Sequence, residues 1–237
     1  MLQESNLLGA LTQKDRALLK PLIAECHLSA GDTIYQAGEF VRHAYFPCGA
    51  ALAVFLVPME SGEVVETAMV GREGALGGIV SQGNVPSYSR SCVMHEGKFY
   101  RIATTDLEAA KQQSPAIRNL FARYADCMMA QVFQAVACNA SHTIEQRAAK
   151  WLYAAMERTG QNEIAMTQEQ LASMMGIGRS YASRVVQRFK ADQIIQTRRG
   201  GLKVLDAPGL RQRACSCNEL VKEHFGTVLK GVYPEPA

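Results

Sequence analysis

No apolar run in this 237-residue chain approaches the ~20 residues a helix needs to cross a bilayer; stretches such as Ala50–Pro58 fall far short. The opening segment, MLQESNLLGALTQKDR, lacks a basic patch followed by an apolar one, so no secretory signal is read there. Cysteines are seven, an odd number scattered along the chain. That is not a disulfide framework, and it suits a reducing cytoplasm. The five histidines, His27, His43, His95, His142 and His224, form no H-x-H or H-x-x-x-H pair. A cupin-like metal enzyme needs such clustered ligands. No G-x-S-x-G occurs either, so a serine hydrolase is unsupported. What is left is a cytoplasmic, non-enzymatic protein with no membrane contact. Its 48% hydrophobic and 20% charged content suffices for one large core or two modest ones.

Charge is unevenly spread. Residues 179–213 hold nine Lys/Arg (Arg179, Arg184, Arg188, Lys190, Arg198, Arg199, Lys203, Arg211, Arg213) against Asp192 and Asp206. That segment carries +7 and leaves −4 on the rest of the chain. A concentrated basic segment on a mildly acidic body is the footprint of a nucleic-acid binder. A solvated surface is the competing reading of any charge run.

Residues 1–25 read as a helical lead-in. From Leu28 to Ile102 glycines punctuate short β-like runs: Thr33–Tyr35, Ala44–Phe46, Leu52–Val57, Val64–Val70, Ser91–Met94 and Phe99–Ile102. Such spacing predicts an all-β sandwich, barrel or roll. Ser114-Pro115 then opens a long helix. Ile117, Phe121, Tyr124, Met128, Gln131, Ala135 and Cys138 follow in steps of 4, 3, 4, 3, 4, 3, the period of a coiled-coil seam. A second apolar line (Leu120, Val132, Val136) runs beside it. A helix apolar on two sides must bury both. The seam is expected to pair with a second copy, with Gln131 setting register; a helix covered wholly by its own chain is the other reading. Asn139–His142 is the expected hinge. Thr143–Gln146 is a capping box opening the next helix.

Thr167-Gln168-Glu169-Gln170 is a second capping box, Gly176-Ile177-Gly178 breaks its helix, and Arg179 starts another. In that second helix Ala182, Val185, Val186 and Phe189 form a stripe at i, i+3, i+4 and i+7. The opposite flank carries Arg179, Ser180, Ser183, Arg184, Gln187 and Arg188, and no acid. Two short helices joined by a tight turn make a helix-turn-helix. Arginine pairs with guanine, glutamine with adenine, and serine with base or phosphate. Arg179, Ser180 and Arg184 are therefore assigned to bases, and Ser183, Gln187 and Arg188 to phosphate or flanking contacts. Thr167 and Gln168, at the first helix's N-terminus, are placed on a phosphate. Ile194–Thr197 and Leu202–Leu205 flank Arg198-Arg199-Gly200-Gly201, a hairpin wing whose two arginines reach the backbone.

Residues 171–206, LASMMGIGRSYASRVVQRFKADQIIQTRRGGLKVLD, resemble the helix, turn, recognition helix and wing of the Crp/Fnr superfamily of transcription regulators. The tail LRQRACSC, residues 210–217, is similar to a subgroup with a C-x-C near its end. The resemblance implies an α+β chain. A β-roll of cyclic-nucleotide-binding type, a double-stranded β-helix with helical lead-in, would span 1–113. A dimerisation helix (114–138), a hinge (139–142), and a winged helix-turn-helix with its tail (143–237) would follow. It also implies a homodimer on a pseudo-palindromic site in double-stranded DNA, with RNA polymerase as a further partner. The effector positions it points to are Gly74, Leu76, Gly77, Arg90 and Ser91. Ala75 stands where nucleotide-binding members place a ribose-binding glutamate, and Val132-Phe133 replaces their adenine-binding hydroxyl pair, so cyclic AMP is not the expected effector and its identity is left open. Only Cys26 lies in the first 40 residues, against an iron–sulfur cluster. Cys215-x-Cys217 has no second pair nearby and is expected to have a structural or incidental role, with no metal site. The alternative function is a nucleotide-binding or other small-molecule sensor module whose main role is signal reception rather than DNA readout; the helix-turn-helix argues against it.

Overall fold

The computed structural model describes residues 2–60, 62–81 and 83–231. It opens with two short helices, α1 (Asn6–Gly9) and α2 (Gln13–Leu19). A hydroxyl caps each: Ser5 accepts from the Leu8 N–H, and Thr12 from the Asp15 N–H. Strands β1 (Ala24–Leu28), β2 (Thr33–Tyr35), β3 (His43–Pro47), β4 (Leu52–Pro58), β5 (Val64–Val70), β6 (Arg90–His95) and β7 (Gly97–Ala103) follow. They form two antiparallel sheets, ordered β1-β7-β3 and β2-β6-β4-β5. The lead-in is shorter than the sequence suggested, because Ala24–Leu28 is a strand paired with Arg101–Gly97.

Strand β4 shows why this region reads as apolar rather than alternating. Ala51, Ala53 and Phe55 face Tyr35, Val70, Leu76, Val93 and Phe99 between the sheets. Leu52, Val54 and Leu56 face the other way into a second core. Side chains alternate across a strand, so a strand covered on both faces must be apolar throughout.

Helix α3 (Thr104–Gln113) precedes the long helix α4 (Pro115–Ser141). Ser114 caps α4 by accepting from the Ile117 N–H at 3.4 Å, and also donates to Asp15 Oδ1 at 2.7 Å, tying the lead-in to the helix start. The predicted start at Ser114-Pro115 is thus observed. The helix runs to Ser141, three residues past the expected end, and of the expected hinge only His142 lies outside it.

The expected seam faces inward. Ile117, Phe121 and Tyr124 are 0–1% exposed, in one core with Leu7, Leu19, Phe46, Tyr100 and Ile102 of the same chain. Met128 packs half-buried against the same core. Gln131 donates to the Met69 carbonyl at 3.0 Å instead of setting register with a partner. Ala135 lines a small, half-open pocket with Met69 and Trp151. These six residues cover their own β-roll. The line left in solvent is Met129 (53% exposed), Val132, Phe133 (66%) and Val136 (64%).

Helix α5 (Ile144–Thr159) begins with the predicted capping box, Thr143 with Gln146, and ends at Gly160 in the left-handed region. Helices α6 (Gln168–Met175) and α7 (Arg179–Ala191) follow. A three-stranded sheet, ordered β8-β10-β9, combines β8 (Glu163–Ile164), β9 (Ile195–Arg198) and β10 (Gly201–Val204). The expected tail is two further helices, α8 (Ala207–Arg213) and α9 (Cys217–Val228). Helix α9 doubles back along α4, where Phe225 meets Tyr124 edge-on and Arg123 donates to the Val228 carbonyl. This half packs on the outer face of the four-stranded sheet. Trp151, Leu152, Met174 and Phe189 share one core with Leu52, Val54, Leu56 and Met69. Arg158 pairs with Glu73 at 2.8 Å, and Ser173 donates to the Val64 carbonyl. Among the described residues no helix is long and apolar enough to cross a membrane.

Truncating Phe121 to alanine removes a fully buried ring from the chain's own core. Phe121→Ala is expected to lower unfolding free energy by about 3–5 kcal/mol in urea melts of the full chain.

Candidate nucleic-acid interface

The site is built on two consecutive helices and a hairpin. Thr167 accepts from the Gln170 N–H, and Gln170 Oε1 accepts from the Thr167 N–H at 2.8 Å, so α6 starts where the sequence says. Helix α6 ends at Gly176, whose φ of 65° lies in the left-handed region that favours glycine. There the Gly176 N–H reaches the Ser173 carbonyl and the Ile177 N–H the Ala172 carbonyl. Gly178 then starts α7 without a side-chain cap. Its first N–H groups are therefore not occupied by a capping side chain, a disposition suited to an anion.

Ala182, Val185, Val186 and Phe189 of α7 are buried. That fixes the helix's rotation. Arg179, Ser180, Arg184, Gln187 and Arg188 are exposed, and Ser183 is half-buried. Thr167 is exposed and Gln168 half-buried at the start of α6. The structure thus brings the sequence-predicted residues of α7 onto one open face.

The arginines differ in their neighbours. Arg188 pairs with Glu145 of α5, which also receives Arg213, and Arg213 reaches Asp192 at 2.7 Å. Lys203 pairs with Glu163. Arg179, Arg184, Arg198 and Arg199 have no acidic partner among the described residues. Arg188 itself is exposed, whereas Glu145 is largely covered and shared with Arg213, so of the flank arginines Arg188 is the one already engaged by an acid. Arg184 lies over the Tyr181 ring at 5.0 Å. Stacking a guanidinium on an aromatic face limits its rotamers. Tyr181, 44% exposed beside these arginines, was missed by the sequence reading, which sorted α7 into stripe and flank and left the one aromatic between them unassigned.

The wing differs slightly from expectation. Arg198 closes β9 opposite Gly201, which leaves Arg199-Gly200 as the two-residue turn, with Gly200 at φ 75°. Arg198, Arg199 and Gly200 are all exposed. Strand β8, two residues long and invisible to pattern reading, pairs with β10 and anchors the hairpin.

The effector positions behave differently. Leu76 is fully buried, and a side chain on Gly74 would collide with the Tyr124 hydroxyl. That hydroxyl donates to the Ala75 carbonyl at 3.3 Å. Tyr35, 5% exposed, contacts both the Gly77 backbone and the Ser91 side chain. Ser91 itself is buried and donates to the Val54 carbonyl, while Arg90 donates to Thr33. Tyrosines of the chain itself therefore occupy the surroundings of the cassette. The Cys215-x-Cys217 pair also has company, for Cys138 and His142 stand beside it.

Comparison with known proteins agrees with this geometry. Residues 146–213 match the model of the Crp-like helix-turn-helix domain. No curated protein matches the chain in sequence. Among solved structures, a putative Crp/Fnr-family transcriptional regulator from Eubacterium rectale superposes with a TM-score of 0.66 at 14% identity, covering 87% of this chain and 96% of that one. FixK2 from Bradyrhizobium japonicum gives 0.66 at 13% identity, covering 81% and 98%. A CRP-family transcriptional regulator from Thermus thermophilus gives 0.67 at 18% identity, covering 80% and 96%.

Arg184→Ala is expected to cost about 1–3 kcal/mol on the preferred duplex and to relax base preference at one position. Arg198→Ala is expected to weaken all duplexes alike and to reduce the slope of log affinity against log salt by about 1. Anisotropy titrations at several salt concentrations separate the two outcomes.

Proposed function

With a Crp-like helix-turn-helix domain set in the fold of the Crp/Fnr transcription regulators, we propose that this chain is a cytoplasmic, sequence-specific DNA-binding regulator that acts as a homodimer, by readout and not by catalysis. One observation carries the reading: the exposed flank of α7, none of whose own residues is acidic, is held outward by a buried stripe. Arg179, Ser180 and Arg184 read base edges from the N-terminal part of the helix. Ser183, Gln187, Arg188, Thr167, Gln168, Arg198 and Arg199 hold backbone phosphates and fix register.

The dimer is supported by α4. Met129, Phe133 and Val136, in steps of 4 and 3, with Val132 beside them, are apolar and exposed, and a second helix of the same kind would bury them. Two copies paired there present two recognition helices to a pseudo-palindromic site. Half-site centres about 34 Å apart, or a multiple of that, follow from one turn of duplex. At a promoter the partner of such a dimer is RNA polymerase. The β-roll is the receiving end. A ligand drawn to Gly74, Leu76, Gly77, Arg90 and Ser91 would displace Tyr35 or Tyr124, and Tyr124 sits on α4, the helix that ends at His142.

Sedimentation equilibrium tests the pairing. The chain is expected to be a dimer at micromolar concentration. Phe133→Glu places a carboxylate in the seam, which costs about 3 kcal/mol or more and weakens pairing by at least ~100-fold. A monomeric parent chain, or a Phe133→Glu dimer of unchanged stability, refutes the seam.

A further inference from the structure

Four side chains from distant parts of the sequence meet where α4, α5 and α9 converge. Cys138 lies in the last turn of α4 and His142 is its C-cap, one helical turn apart on one face. Cys215 and Cys217 sit at the junction of α8 and α9. All four candidate ligand atoms lie within 4.8 Å of one another. Cys138 Sγ is 3.6 Å from Cys215 Sγ, and Cys217 Sγ is 3.5 Å from His142 Nδ1.

We propose that Cys138, His142, Cys215 and Cys217 form a structural site for one tetrahedral divalent cation of the zinc class. With metal–sulfur bonds of about 2.3 Å and metal–nitrogen bonds of about 2.0–2.1 Å, the edges of a tetrahedron are about 3.8 Å between sulfurs and about 3.6 Å between sulfur and nitrogen. The two observed separations match those edges. An iron–sulfur cluster spreads its thiolates around several irons and does not fit so tight a set. A Cys138–Cys215 disulfide would use two of the four groups and leave the convergence of the other two unexplained.

The groups around the four side chains also suit a metal. Gln134 Nε2 donates to Cys217 Sγ at 3.1 Å, and Lys150 Nζ to Cys138 Sγ at 3.6 Å. Cysteines packed merely as small hydrophobes do not gather an amide, an ammonium and an imidazole around their sulfurs. A divalent ion with three thiolates and a neutral imidazole carries one negative charge, which the Lys150 ammonium balances. On binding, the three thiol protons leave to solvent and His142 keeps its proton on Nε2. Four protein ligands leave no open position, so the site is structural. It pins the start of α9 to the end of α4, beside the elbow that leads into α5.

The test uses the full-length, reduced protein and no DNA, so its outcome is independent of the DNA-binding proposal. Protein purified without chelator is expected to contain one zinc per chain by elemental analysis. Stripped protein titrated with Co(II) is expected to show the strong visible bands of a tetrahedral ion and a near-ultraviolet thiolate charge-transfer band. Cys215→Ser/Cys217→Ser is expected to abolish both signals, and Cys127→Ser, outside the cluster, to leave both intact. Gln134→Leu is expected to weaken zinc binding about 10–100-fold. If the double variant does not fold, His142→Cys still decides, since it is expected to keep one ion per chain while the charge-transfer band grows by a fourth sulfur. Three results would overturn the site: no zinc with no tetrahedral cobalt spectrum in the reduced, folded chain; full metal retention in the double variant; or a His142→Cys spectrum identical to the parent's.

Discussion

A helix that buries Ala182, Val185, Val186 and Phe189 has one orientation left for its other side. The apolar underside of α7 is shared with Trp151, Leu152 and Met174, so rotating the helix would expose that stripe to water. Every residue assigned to DNA on α7 inherits its direction from this constraint. The capping box at Thr167 and the left-handed Gly176 set where α6 begins and ends, and hence where α7 can start. Arg184 stacked on Tyr181 adds a local restraint, so the guanidinium nearest the middle of the flank is partly ordered.

Helix α4 carries the second constraint. It serves three neighbours at once: the β-roll core through Ile117, Phe121 and Tyr124, the returning helix α9 through Tyr124 and Phe225, and solvent through Met129, Phe133 and Val136. Tyr124 also donates to the Ala75 carbonyl, between Gly74 and Leu76. The β-roll is therefore packed, through Tyr124, onto the helix that leads into the helix-turn-helix half. Arg158 on Glu73 and Ser173 on the Val64 carbonyl add polar links between the two halves.

Local signals were legible in the sequence. Ser114-Pro115, Thr143–Gln146 and Thr167–Gln170 each need only a few adjacent residues, and all three caps are present. The flank of α7 was legible for the same reason, since helical periodicity alone separates it from the stripe. The seam on α4 was not, because two apolar lines of the same period compete and only the packed β-roll decides which is covered. Strand β1 was hidden by its half-polar, mostly exposed sequence AECHL, and α3 by a polar composition in which only Leu107, Ala110 and Lys111 are buried. The Cys138, His142, Cys215 and Cys217 cluster escaped because the two pairs lie more than 70 residues apart and meet only when α9 folds back on α4.

In the proposed complex a pair of α7 flanks reads one duplex. Selection from a random duplex library by the full-length chain measures this directly. It predicts enrichment of a two-fold symmetric sequence whose half-site centres are about 10–10.5 base pairs apart, or a multiple of that. Recovery of no preferred sequence, or of a single asymmetric half-site at full affinity, contradicts it.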